Sequence, residues 1–419
     1  MKFSRLAAVL TAGATAVNAA FPGDIVQYWV DQSGALVNNT IIGGLQSAPS
    51  SWYTAIVQGA VYQAAVSSKR ESLAFQQLAV SHAAHNAILF VFHGTRNYGN
   101  TDAALRAVIP QIGLDPSSRE GKRATEIGRA AARKVAEARA DDGIHDFVDY
   151  TFGPKNPGVY QSTPGGAAYP DNPQARFVRL FAGLGDVTRF RLPAPPKTNS
   201  KQYEQDVLYV KAQGALGSTV RTPFDTETAY FWRESSISGW NRFAHSVVGN
   251  KLATKVVESA KFYAQLNYAL ANAGIASWDN KFLHSGWRPV TAIQYPGVYL
   301  QSGQSVTDPA WTPLLRPTPS HPDYPSTHST YGGAAAAVIR AFNRGSDVIS
   351  ATLSSNVTID NVGVITRSYT NLTVAVLENS ASRVFGGIHF RFAGSAGIEL
   401  GDKVARATLK VFDDNWDDF

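Results

Sequence analysis

Cysteine is absent from all 419 residues. Without a thiol there is no disulfide, no thiolate nucleophile, no zinc–thiolate centre, no iron–sulfur cluster and no thiolate-ligated haem. A chain of this length draws its stability from its core instead, and 44% of its residues are apolar, with eight tryptophans in the chain. Beyond the N-terminus there is no uninterrupted apolar run near the roughly 18 residues that a membrane span needs. The mature chain is therefore expected to be soluble, with no membrane span. Charged residues are sparse at 17%, and the formal net charge is only +6. No basic tract is interleaved with aromatics, which argues against nucleic acid as a partner. No serine nucleophile elbow, glycine-rich phosphate loop or His-Glu-x-x-His zinc motif occurs.

The chain begins Met1-Lys2-Phe3-Ser4-Arg5 and continues into an apolar stretch over 6–17 that ends in small residues. A basic start, a short apolar run and the Val17-Asn18-Ala19 exit make a secretory signal. We expect a signal peptide over 1–19 and a secreted, extracellular protein. Sequons at Asn38, Asn356 and Asn371 fit a glycoprotein. Helical periodicity dominates the rest, at 51–65, 71–92, 118–140, 226–231, 240–248, 251–273, 330–342, 370–383 and 398–411. Ser117 or Ser118 is placed to cap the third of these. Between 153 and 198 the composition turns to Pro, Gly, Asn and Tyr, an irregular connection with room for a short strand at 176–181. The expected fold is all-α, two packed four-helix-type bundles. Residues 20–152 form an N-terminal helical region, 153–198 the connection and 199–419 the region that carries the chemistry.

That chemistry is concentrated in three short motifs. Lys281 and Arg288 lie seven residues apart, which on a helix returns both to one face, and Pro289 follows at an expected helix end. Pro325-Ser326-Thr327-His328 precedes an alanine-rich helix whose start offers free N–H groups and the positive end of the dipole to an anion. His328 in that first turn is disfavoured as a cation, so a neutral imidazole stands there as a general base. Arg383 and His389 are six apart, with Gly386-Gly387 between them to turn the chain so that both point inward. Arg grips two oxygens of an oxyanion with a planar fork, and Lys adds a point charge. His82 and His85, three apart on a helix, read as packing histidines.

Taken together, Lys-x6-Arg-Pro, Pro-Ser-x-His and Ser-Arg-x5-His resemble the superfamily that joins vanadium-dependent haloperoxidases to type 2 phosphatidic acid phosphatases. The resemblance implies that Lys281, Arg288 and Arg383 are the cationic ligands of a vanadate or phosphate. It implies that Ser326 donates its hydroxyl, and that Thr327 donates its backbone N–H where the family usually has Gly. His389 would be the axial ligand of vanadium or, in a phosphatase, the nucleophile; His328 would be the acid/base in either. The family often has Asp four residues after the axial histidine, where this chain has Ala393. Glu234 is the expected replacement, a carboxylate supporting Arg383 or His328. Trp278 matches the chloroperoxidase type and His321 the bromoperoxidase type, and the pair suggests a halide site favouring bromide. The implied function is a haloperoxidase with vanadate as cofactor, acting on hydrogen peroxide, halide and an organic acceptor. The alternative is a soluble acid phosphatase that forms a phosphohistidine from a phosphate ester.

Overall fold

A computed structural model describes residues 21–39, 47–92, 99–355 and 363–419. The expected signal peptide and the Asn356 sequon fall outside the described residues. The N-terminal half holds α1 (Ile25–Asn39), α2 (Ser47–Ser67), α3 (Leu73–Phe92), α4 (Gly99–Ile112) and α5 (Arg119–Ala138). After the connection come α6 (Lys201–Gln213), α7 (Pro223–Phe231), α8 (Ser236–Val248), α9 (Val256–His284), α10 (Pro289–Gln294) and α11 (Thr327–Phe342). A hairpin of β1 (Val348–Ser354) and β2 (Thr366–Asn371) leads into α12 (Leu372–Phe385) and α13 (Arg391–Asn415). The fold is all-α, as expected, with this antiparallel hairpin as its one sheet among the described residues.

Local sequence sets several of the boundaries. Ser118 caps α5 by accepting from the Gly121 N–H at 2.9 Å. Thr222 and Asp225 form a reciprocal capping box ahead of α7, with Pro223 in its first turn. The expected strand at 176–181 is instead the end of a 3-10 turn, Pro173–Phe177, followed by extended chain. The reason lies in α9, whose buried asparagines take over the task of a strand ladder. Asn272 accepts from the Phe181 N–H at 2.7 Å, and Asn280 accepts from the Leu192 N–H at 2.7 Å. Side-chain amides thus satisfy backbone that would otherwise be buried without partners.

The long helix α9 is the axis of the molecule. It packs on α2 on one side and on α11 and α13 on the other. Buried apolar residues of both halves form one continuous cluster, including Trp29, Phe75, Trp240, Tyr263 and Phe412. Two glycines let α11 and α13 touch backbone to backbone. A Cβ on Gly401 would overlap the Thr330 carbonyl, and one on Gly397 would lie 2.5 Å from the Ser326 carbonyl. That approach fixes the start of α11, where the second motif lies.

Candidate anion-binding site

Each motif sits at a helix end. Lys281 is in the last turn of α9, which stops at His284 with Ser285 in the left-handed region at φ 46°. Arg288 lies in the loop beyond and is the N-cap of α10, and Pro289 opens that helix rather than closing one. The expectation that Lys281 and Arg288 share a helix face is therefore corrected. The reversal at Ser285 brings them together instead. Arg383 is in the last turn of α12, and Gly387, at φ 74°, turns the chain so that His389 comes back toward Arg288. No side chain fits at that turn, because a Cβ there would strike the Gly214 carbonyl.

The three cations are sealed from solvent: Lys281 and Arg288 are 0% exposed and Arg383 is 2% exposed. Lys281 donates to the carbonyls of Pro322 at 2.8 Å and Asp323 at 3.0 Å, and also to that of Pro325. Arg288 donates to the carbonyls of His321 at 2.8 Å and Ile388 at 2.6 Å, and lies 3.0 Å from His389 Nε2. Arg383 donates to the carbonyls of Trp232 at 2.9 Å and Ala229 at 3.3 Å. Among the described residues no carboxylate oxygen lies within 4.0 Å of any of these three cationic groups. Burial pushes the Lys281 ammonium well below its ordinary range, helped by Arg288. Burial also brings Arg383 down to about 9, with Arg233 and Arg288 adding to the effect.

The same cations act on two imidazoles. Desolvation, then Arg288 and Lys281, hold His389 well below the usual histidine range. Desolvation, then Arg383, do the same to His328. Both rings are neutral. His328 Nε2 lies 3.3 Å from the Glu234 carbonyl, so that nitrogen carries the hydrogen and Nδ1 keeps its lone pair. Ser326 occupies the N-cap of α11, yet its side chain makes no capping bond there. Its oxygen accepts from Ser329 at 3.1 Å, which leaves its own hydrogen to donate. Thr327 turns its hydroxyl onto Ser277 of α9 at 2.8 Å, leaving its backbone N–H at the unpaired start of the helix.

Trp278 and His321 are also brought to the site. Their rings lie 5.0 Å apart, and His321 Nδ1 is 3.0 Å from Arg288 Nη2. His321 Nδ1 also lies 3.3 Å from the Pro322 carbonyl, and burial, then Arg288 and Lys281, push this imidazole well below the usual histidine range. Glu234 is a correction. Its carboxylate forms a two-pronged pair with Arg242 at 2.9 and 2.8 Å, and only its backbone carbonyl reaches His328. Arg242 follows Glu234 at the second turn of α8 and captures the acid before Arg383 can.

One residue escaped the sequence reading. Asp323 is 1% exposed, and its Oδ1 lies 2.8 Å from His389 Nδ1. Burial raises this carboxyl to about 7 against the opposing pull of Arg288 and Lys281. The only signal was an acid wedged in Pro322-Asp323-Tyr324-Pro325, an odd place for a solvated charge. His85 pairs with Asp102 of α4 at 2.6 Å, away from this site, and no metal-holding cluster of His, Asp or Glu occurs among the described residues.

Buried cations without a directly paired carboxylate are costly, and Asp323 opposes that cost only from beyond 4.0 Å. The donors are of a kind that an oxyanion would fit: three cations, the Ser326 hydroxyl and the free N–H groups of α11. His389 Nε2 carries a lone pair, which in this structure accepts from Arg288 Nη1.

Residues 261–418 match the family described as the second helical-bundle domain of VCPO. A vanadium chloroperoxidase of Curvularia inaequalis is 26% identical over 257 residues, 48% of this chain and 41% of that protein. The match therefore spans about two fifths of that relative's length. A bacterial vanadium-dependent iodoperoxidase shares the fold at a TM-score of 0.73 and 21% identity, covering 93% of this chain and 98% of its own. The holo form of a bacterial vanadium-dependent chloroperoxidase does so at 0.74 and 18%, covering 95% and 99%. The matched bundle contains Lys281, Ser326 and His389, and the chain shares the fold of these vanadium-dependent haloperoxidase structures along nearly its whole length.

Proposed function

We propose that the protein is a vanadium-dependent haloperoxidase that oxidises halide with hydrogen peroxide, and that it is secreted. The observation that carries the reading is the trio of buried cations, Lys281, Arg288 and Arg383, with backbone carbonyls but no carboxylate beside them. Vanadate satisfies that charge. When bound, it supplies a Lewis-acidic centre that polarises peroxide toward attack by halide. Lys281, Arg288 and Arg383 balance the negative oxygens, and Ser326 and the Thr327 N–H orient them. His389 Nε2 carries no hydrogen and accepts from Arg288; it is the nitrogen that would hold the vanadate. His328, neutral and held by the Glu234 carbonyl, takes the proton from incoming peroxide at Nδ1 and returns it later.

Halide choice rests on Trp278 and His321. A polar imidazole against Arg288, in place of an aromatic wall, favours bromide over the harder-to-oxidise chloride. The test compares bromination and chlorination of a phenol dye, with vanadate and peroxide, against hydrolysis of an aryl phosphate without vanadate. We expect bromination to dominate, and His321→Phe to raise chloride turnover relative to bromide. Hydrolysis without halide oxidation would assign the pocket to phosphate ester cleavage through His389 instead.

A further inference from the structure

We propose that Asp323 is the positioning residue for His389, orienting the ring through Nδ1 so that the bare Nε2 faces the anion. The inference rests on the oxyanion reading above and concerns a residue which that reading does not use. Arg288 Nη1 lies 3.0 Å from His389 Nε2. A guanidinium has five donors and no acceptor, so Nε2 must be the bare nitrogen and Nδ1 must carry the hydrogen. Nδ1 lies 2.8 Å from Asp323 Oδ1. The ring is turned so that this contact is bent rather than straight, which leaves both groups short of a well-aligned partner. Catalytic hydrogen bonds commonly start long or bent and tighten around a ligand.

The backbone of Asp323 is held in place independently of the ring. The Asp323 N–H donates to the Gly286 carbonyl at 2.9 Å, and the Asp323 carbonyl accepts from Lys281 at 3.0 Å. One residue thus joins the ammonium, the axial imidazole and the loop that leads to Arg288. Position 393, where the resemblance led to an expected acid, is a fully buried alanine packed among Tyr203, Phe390 and Phe392. The acid that meets His389 comes from the loop before α11 rather than from α13. A carboxylate holding Nδ1–H orients the ring and makes Nε2 a stronger donor to a metal centre.

The test is nitrogen NMR of the histidines in the mature protein without added anion, His389 being assigned by the signals lost in His389→Gln. The expected spectrum has the hydrogen on Nδ1 and a bare Nε2. Asp323→Leu, close in size but without an acceptor, leaves Arg288 to keep Nε2 bare but should free the ring at Nδ1, shift the His389 nitrogen signals and weaken orthovanadate binding about 10–100-fold. Asp323→Asn keeps an acceptor oxygen and should retain the tautomer with a smaller loss. A wild-type spectrum with the hydrogen on Nε2 overturns the assignment, and needs no variant to fold. An Asp323→Leu protein with His389 nitrogen signals and vanadate affinity both unchanged overturns it as well. Wild-type protein that shows the Nδ1–H form but binds no vanadate would remove the oxyanion reading and leave this assignment standing.

Discussion

At the scale of single residues, the pocket is governed by like charge. Lys281 is pushed well below its ordinary range and Arg383 to about 9, each by burial first and by neighbouring guanidiniums second. An anion favours the charged form of both, so binding raises these values. Where the pH lies above the free value, binding takes up protons and weakens as the pH rises, about tenfold per pH unit for each cation that titrates. Phosphate affinity should therefore fall between about pH 8 and pH 10, where phosphate itself stays a dianion. Calorimetry in two buffers of different ionisation heat should register the proton uptake. A flat affinity over that range would mean that the cations stay charged without the anion. The cationic and imidazole members of this site were legible because they recur at motif spacing. Asp323 was not, since a single acid between prolines has no period to betray it, and Glu234 was misread because its partner lies on α8.

Helix ends decide the next scale. Amphipathic runs such as that of α5 were legible from apolar spacing. The joining of the helix expected at 251–273 to the one expected around Lys281 was not, because residues 266–282 are buried throughout and show no polar face. Nor was the left-handed stop at Ser285, a residue with no bias toward that conformation. The hairpin, too, escaped, its strands being only seven and six residues long. What holds the second motif at the site is the approach of α13 to α11. Gly397→Ala places a methyl 2.5 Å from the Ser326 carbonyl, with no flexible side chain to yield. Overpacking of this kind costs about 1–3 kcal/mol. We expect a lowered thermal midpoint together with weaker vanadate binding, because the atom displaced belongs to the residue that meets the anion. Equal loss of stability with unchanged binding, measured by calorimetric titration, would separate α13 from the site.

Over the whole molecule, α9 serves both halves. It buries one side on α2 and another on α11 and α13, and Tyr331 of α11 reaches Ser51 of α2 at 3.2 Å. The 153–198 connection is pinned to the same helix by Asn272 and Asn280. Composition marked that stretch as irregular, but it could not show that its backbone is stitched to a distant helix by asparagine. One continuous core should melt as one unit. Differential scanning calorimetry is expected to give a single transition, and residues 199–419 alone should lack native helicity because the α2 face of α9 would be bare. Two separate transitions would contradict this.

The three cations also anchor loops. Lys281, Arg288 and Arg383 tie down carbonyls from three separated stretches: 321–325, Ile388, and 229–232. A lineage that ceased to need the anion could not simply discard them, for each loss would release a stretch of backbone. Changing the occupant is easier than abolishing the pocket. One scaffold can therefore exchange tetrahedral guests, and with them reactions, while its charged framework stays fixed.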